Sequence, residues 1–557
     1  MTARLGKFSP AFSSVNGRAY GRWRPCARRR LTQRAWARSR AGSMALATLV
    51  ALAAIACAGP STRTTLVDSR DTDDPRSLDP ALSTDVETGR AVAYIFDGLV
   101  GFDPEARVQP GLAARWEISP DGLRYTFHLR QGVVFQDGTP FSSRNVVSSW
   151  ERLLNPATKS GRADLLYPIQ GAREFARGSA TRIAGLAAPN DTTVIVTLTQ
   201  PLAVFIKLLA MPAAAIVPDH VPSDFGEHPV GTGPWKLVEW AHDDYLLFAR
   251  NARYWAGPPA AESLRARIIA DPSTAVAEFE SGNVDVLRVP EGEAREWLDD
   301  ESRAPELRSV PALELVYVAI NTTRGPLSDV RVRQALNYAV DVNRIIDRLV
   351  SGRGTRAAGV IPPALDGYDS TRRGYPYDPA RARQLLAEAG HPNGIDVALW
   401  CSTDPFFERI AETLQAYLDA VGIRTTIVQR EAATARASAR QGRTDLILKD
   451  WFADYPDAEN FLYPLLHSAN RGAGGNVSFF SDAAFDRTVD SARSTLDAGR
   501  RRRLYTRADS MAEAAAPMLF LYFYNELYAL QPWLHGFVPP VIFNGQRWIG
   551  ASIVRTP

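Results

Sequence analysis

Residues 111–156 read GLAARWEISPDGLRYTFHLRQGVVFQDGTPFSSRNVVSSWERLLNP. Asp121-Gly122 is a tight-turn signal. Beyond it Tyr125, Phe127 and Leu129 alternate with Thr126, His128 and Arg130, the period of a strand buried on one face. A hairpin back to Trp116 and Ile118 follows from that turn. A second pair, Asp137-Gly138, precedes Thr139-Pro140-Phe141, after which Val146, Val147, Trp150 and Leu153 fall at helical spacing. Local physics carries this stretch as far as strand, turn and helix.

The order of its residues is more specific. From Trp116 to Phe141 it runs W-x-x-S-x-D-G-x-x-Y-T-F-x-L-R-x-G-V-x-F-x-D-G-T-P-F. This resembles family 5 of the extracellular solute-binding proteins, the peptide and nickel receptors of bacterial ABC importers. HPVGTGPWKLVEW from His228, ARNARYWAGPP from Ala249 and DVRVRQALNYAVD from Asp329 extend the resemblance over nearly all of the chain after Cys57. The resemblance implies an α/β, two-lobed periplasmic-binding-protein fold (type II), with an extra domain inserted in the first lobe and a ligand cleft between lobes. It places the first lobe at 71–105, 226–305 and 521–557, the inserted domain at 106–225 and the second lobe at 306–520.

The chain of 557 residues is 45% apolar and 22% charged, ordinary for a globular protein and long enough for several domains. Its net charge of +3 averages two unlike regions. Residues 1–40 hold 11 basic and no acidic residues, so the rest carries 53 basic against 61 acidic, a balance of −8. That balance argues against nucleic acid as a partner, since phosphate binding needs a basic face. The apolar run ALATLVALAAIA at 45–56 is too short to span a bilayer of ~30 Å but fits a signal-peptide core. It ends at Cys57 behind Ala54-Ile55-Ala56, which looks like a lipobox with Ala54 in place of the usual Leu. Residues 1–57 are therefore expected to be a signal peptide with a long basic leader, and Cys57 the lipidated first residue of an exported protein. Such a protein sits in the periplasm or on the outer face of the cytoplasmic membrane, with 58–70 as a polar tether. The alternative is ordinary cleavage after Ala56. Cys26 leaves with the leader, so Cys401 stands alone and no disulfide framework is expected.

Several segments read clearly as elements. Gly231, Gly233 and Pro234 suggest a tight turn into a strand of Trp235, Leu237 and Val238. LELVYVAINTT at 313–323 reads as a buried strand, followed by a helix capped at Ser328-Asp329. Asp378-Pro379 starts another helix, which Gly390 ends. Strand 396–400, a helix through Ile410, Leu414 and Leu418, and strand 423–428 form an apparent βαβ unit.

In DLILKDWFADYPDAENFLYPLL, from Asp445, a strand leads toward a helix near Ala458 with Asp457 as its cap. Asp454 lies between, among Trp451, Phe452 and Tyr455. A carboxylate in aromatic surroundings is costly unless a cation or several N–H donors meet it. Peptide-binding members of the family pair the Asp of a W-x-x-D motif with the ligand's α-ammonium. By resemblance, then, Asp454 is the ammonium anchor, with Trp451 and Tyr455 beside it as ligand-binding residues. The alternative is an Asp that accepts N–H groups of its own loop. Arg76, in Pro75-Arg76-Ser77, aligns loosely with a cleft-lining edge of oligopeptide receptors. The family's dipeptide receptors carry an Arg after the strand matching 396–400, and WCSTDPFF offers none. The expected ligand is accordingly an oligopeptide rather than a dipeptide; the alternatives are the same fold binding a chelated metal, a sugar or an opine-like solute, or a sensory or chaperone-like peptide binder. No H-E-x-x-H, G-x-S-x-G, Walker loop or Cys-x-x-Cys occurs, and the seven histidines are scattered. The expectation is a monomeric binding protein without catalysis, cofactor or metal, whose partners are a peptide and the permease subunits of an ABC transporter.

Overall fold

The structure, a computed structural model, describes residues 64–71 and 73–554. The basic leader, the apolar run and Cys57 lie outside the described residues. Among the described residues no helix is long and apolar enough to cross a membrane.

The hairpin forms as its alternation requires. Ala113–Ile118 pairs antiparallel with Arg124–Leu129, Trp116 facing Phe127 and Ile118 facing Tyr125. Gly122 adopts a φ of 71°, which a side chain would oppose. Thr193–Thr197 and Leu186–Asn190 complete a four-stranded sheet. The helix Ser143–Leu154 opens on a capping box of Ser142 and Asn145 and buries Val146, Trp150 and Leu153 with Tyr125 and Phe127 in one core.

A second, eleven-stranded sheet carries the rest of the molecule. Its order is 423–429, 395–401, 446–452, 307–320, 518–530, 286–288, 65–71, 263–268, 245–250 and 235–241, with 354–356 paired to 518–530. The expected βαβ unit is present: Ile395–Cys401 and Ile423–Gln429 run parallel, connected by the helix Pro405–Asp419. Cys401 is fully buried there as a packed apolar side chain. Leu307–Ile320 and Met518–Leu530 are the long members, at 14 and 13 residues. Val310, Tyr528 and Leu530 at one end pack with Leu66, Trp235 and Phe248. Val316, Val318 and Ile320 at the other pack with Leu399, Leu414 and Leu446. These two strands therefore pass from one lobe's core into the other's. Their ladder is irregular between Pro311 and Leu315, where Pro311 has no N–H to donate.

One expectation is corrected, and two gain detail. Residues 65–71 are not tether but a strand in the middle of the large sheet, parallel to 263–268 and buried through Leu66 and Val67. The cores change near 311 and between 524 and 527, a few residues after the positions 306 and 521 expected from the sequence. Gly231 and Gly233 are needed for close approach as much as for a turn, because a Cβ on Gly231 would stand 2.1 Å from the Ile95 carbonyl oxygen. The Gly233 N–H donates to that same oxygen at 2.8 Å.

Candidate ligand-binding site

The strand Leu446–Phe452 is paired unequally on its two edges. One edge meets Glu314–Ile320 along its full length. The other meets 395–401 only at Leu446 and Ile447, so among the described residues no strand lies beside it from Leu448 to Phe452. Such an edge offers backbone N–H and C=O groups to any extended chain laid against it. A cavity of about 600 Å³ runs along it, walled by Ser402-Thr403-Asp404, by Glu431, Arg436 and Arg440, and by Lys449 and Trp451. Through Asp404, Phe407, Asp450 and Phe452 it joins a second cavity of about 380 Å³. That second cavity brings the two lobes face to face, with Val86, Glu87, Arg90, Pro540 and Phe543 opposite Glu314, Val316, Tyr524 and Glu526.

Trp451 lines the larger cavity, and its indole N–H donates to Asn460 Oδ1 at 3.3 Å. The same oxygen accepts the Asp454 N–H at 3.0 Å, so Asn460 fixes the W-x-x-D segment from the following helix, Glu459–Leu466. The Asp454 carboxylate is met by a cation, but one supplied by the chain: Arg162 Nη2 lies 2.8 Å from Oδ1. In this state Asp454 is neither an open anchor nor an acceptor for its own loop. Tyr455 lies apart from the cavities, packed into the inserted domain's core with its hydroxyl on Glu459. The cap position of the helix Glu459–Leu466 is Ala458 rather than the expected Asp457, which stands one residue earlier, accepts the Glu459 N–H at 3.0 Å and pairs with Lys207 at 2.7 Å. Arg76 is exposed, gives its backbone N–H to Thr88 Oγ1 at 3.2 Å, and lines neither cavity.

Burial sets the protonation of the cleft. It pushes the Glu314 carboxyl up to about 8, with Asp450 and Glu526 adding to the shift. It brings Lys449 down to about 8, against the pull of Asp450. A separate cavity of about 380 Å³ lies among Val92, Phe96, Phe102, Tyr254 and Trp255. It touches none of the W-x-x-D residues, and its Asp97 already accepts from Arg547 at 2.7 Å and from Thr232 and Trp255.

Residues 107–473 match the family model described as bacterial extracellular solute-binding proteins, family 5 Middle. The chain belongs to that family. Heme-binding protein A of Haemophilus influenzae is 31% identical over 86% of this chain and 90% of its own length. The glutathione-binding protein GsiB of Escherichia coli is 31% identical over 80% of this chain and 86% of its own. The Helicobacter pylori periplasmic binding protein DppA, solved with the peptide STSA, superposes with a TM-score of 0.73 at 27% identity, covering 88% of this chain and 98% of that one. Family 5 proteins are non-enzymatic components of solute transport, and the mixed α/β fold with its large sheet is theirs.

Within this family 5 protein the site contains residues that single segments do not announce. Arg162 lies 292 positions before Asp454, and Glu314 looks like one polar residue in an apolar strand. Asn460 had a local signal. It lies nine positions after Trp451 at the start of a helix, where a polar side chain turned inward needs a partner.

Proposed function

We propose that this protein captures an oligopeptide in the cleft between its lobes and delivers it to the permease of an ABC importer. It is exported and held at the membrane by a lipid on Cys57, and works as a monomer. The observation that carries the peptide reading is the free edge of Leu448–Phe452 beside a large cavity. Backbone pairing recognises an extended chain with little regard to side chains, the economy a peptide scavenger needs. The solved complex of DppA with STSA supports the same class of ligand. Trp451 forms a wall, and Asp454, which lines neither cavity, acts with Arg162 two residues beyond the free edge. The lobe boundaries follow the change of cores in the two long strands, and the inserted domain spans 106–225.

Residues 58–557 purified under native conditions should release, on denaturing extraction, a ladder of peptides of similar length, identified by mass spectrometry. One defined non-peptide mass would overturn the reading. The Arg162–Asp454 pair favours a second possibility, a ligand without a free α-ammonium at this position, because the carboxylate is already neutralised. N-acetylated and free peptides of one sequence, compared on the wild type and on Asp454→Ala, separate the two: a ligand anchored at Asp454 loses affinity on acetylation in the wild type and not in the variant.

A further inference from the structure

The cavity of about 380 Å³ at the lobe boundary carries an unbalanced charge. Six carboxyl groups, one of them the protonated Glu314, line it against three guanidiniums. One of the three, Arg70, is already paired with the buried Asp68 at 2.6 Å, and Arg288 stands 3.5 Å from Glu526. Glu291 accepts from the Tyr524 hydroxyl at 2.9 Å. Glu314 and Asp450 have no hydrogen bond or ion pair to their side chains among the described residues. The register makes them neighbours, since Glu314 faces Phe452 and Val316 faces Asp450 across the 307–320 and 446–452 strands. They are diagonal partners on one face, a geometry that sets the two residues roughly 7–8 Å apart, their Cβ atoms somewhat closer, and leaves room for a group between the two side chains. The irregular ladder at Pro311–Leu315 is the kind of feature that re-aims a side chain, here at the floor of the cavity.

We propose that the ligand carries a positively charged group, an ammonium or guanidinium, seated between Glu314 and Asp450. This rests on the cleft being the ligand site, and it adds what that reading leaves open: the charge of what is carried. A ligand with a net negative charge meets uncompensated repulsion in this chamber, while a cation supplies the partner that both carboxylates lack. The groups facing Glu314 are Asp450 on one neighbouring strand, Glu526 and the Tyr522 hydroxyl on the other, and Arg288 and Glu291 across the cavity. With three carboxylates against one guanidinium around it and burial holding its proton on, Glu314 gives up that proton when the cation arrives.

Tetra-alanine peptides with lysine walked through the four positions, each compared with norleucine at the same position, test this by calorimetry on the purified exported protein. At one position lysine should bind at least tenfold more tightly, and it should release a proton at pH 7, seen as a dependence of the heat on the buffer's ionisation enthalpy. Glu314→Gln, and independently the exposed Asp450→Asn, should shrink the lysine-to-norleucine ratio. Equal affinities at every position, or a ratio unmoved in both variants, would overturn the inference and leave peptide capture standing. If no peptide binds, the peptide reading fails. Agmatine and spermidine then decide the charge: a rise in melting temperature suppressed by either substitution sustains it, and no rise overturns it.

Discussion

Asp454 shows how a local requirement is met from a distance. A carboxylate among aromatic rings needs a cation, and Arg162 provides it at 2.8 Å with both side chains about a quarter exposed. At that exposure the pair's coupling in a double-mutant cycle of Asp454→Ala and Arg162→Ala should be about 1 kcal/mol in urea unfolding. If a ligand ammonium competes for Asp454, Arg162→Ala should raise the affinity for free peptides and leave that for N-acetylated ones unchanged. Glu314 makes a prediction of its own in pH. Its folded-state value is raised from 4.5 to about 8, so its contribution to stability is full below 4.5 and is lost as pH rises through about 8. In ligand-free protein the melting temperature of Glu314→Gln should therefore gain on the wild type as pH rises from 5 to 8. Parallel curves would show that Glu314 ionises normally.

The elements divide into those legible in sequence and those that are not. The hairpin at 113–129, the capped helices and the βαβ unit were all readable because their signals are local: a turn pair, a cap, a period of two or 3.6. The strand at 65–71 was missed because a short polar-rich segment, TLVDSRD, becomes a strand only when two neighbours flank it. Thr65 and Ser69 find partners far along the chain, Thr65 Oγ1 meeting Ser263 Oγ at 2.7 Å and the Ser69 hydroxyl donating to the Val286 carbonyl at 2.8 Å, while Asp68 and Arg70 pair with each other. The W-x-x-D segment was legible as a site, whereas the acidic chamber needed the pairing register to bring Glu314 beside Asp450. Gly231 is a sharper case of distant constraint. Gly231→Ala should cost about 1–3 kcal/mol in urea unfolding, the price of an overpacked contact, because the Ile95 carbonyl that it would strike is held by the Gly233 N–H. The free edge at 448–452 predicts a ligand effect: N-methylation of alternate amides of a bound peptide should weaken binding about five- to tenfold each, the worth of about 1 kcal/mol per hydrogen bond, and the intervening amides should tolerate it.

Across the whole molecule, two long strands join the lobes, and side chains from the inserted domain reach the second lobe on one side of the cleft. Arg162 meets Asp454 and Lys207 meets Asp457 in that way. Each pair ties the inserted domain to the second lobe, and so favours the arrangement in which the two are close before any ligand arrives. Replacing both Arg162 and Lys207 with Ala should enlarge the radius of gyration of the ligand-free protein in solution scattering, and saturating ligand should restore the compact value. An unchanged radius would mean that the two strands alone set the lobe angle.

Amide hydrogen exchange across residues 448–452, with and without the peptide that co-purifies, would show whether the cleft holds its ligand by backbone pairing. Capture along this edge predicts slowed exchange there on binding, while the buried ladder at 315–320 stays as it was. Protection that appears elsewhere with 448–452 unchanged, for instance around the cavity at Phe96 and Trp255, would contradict it.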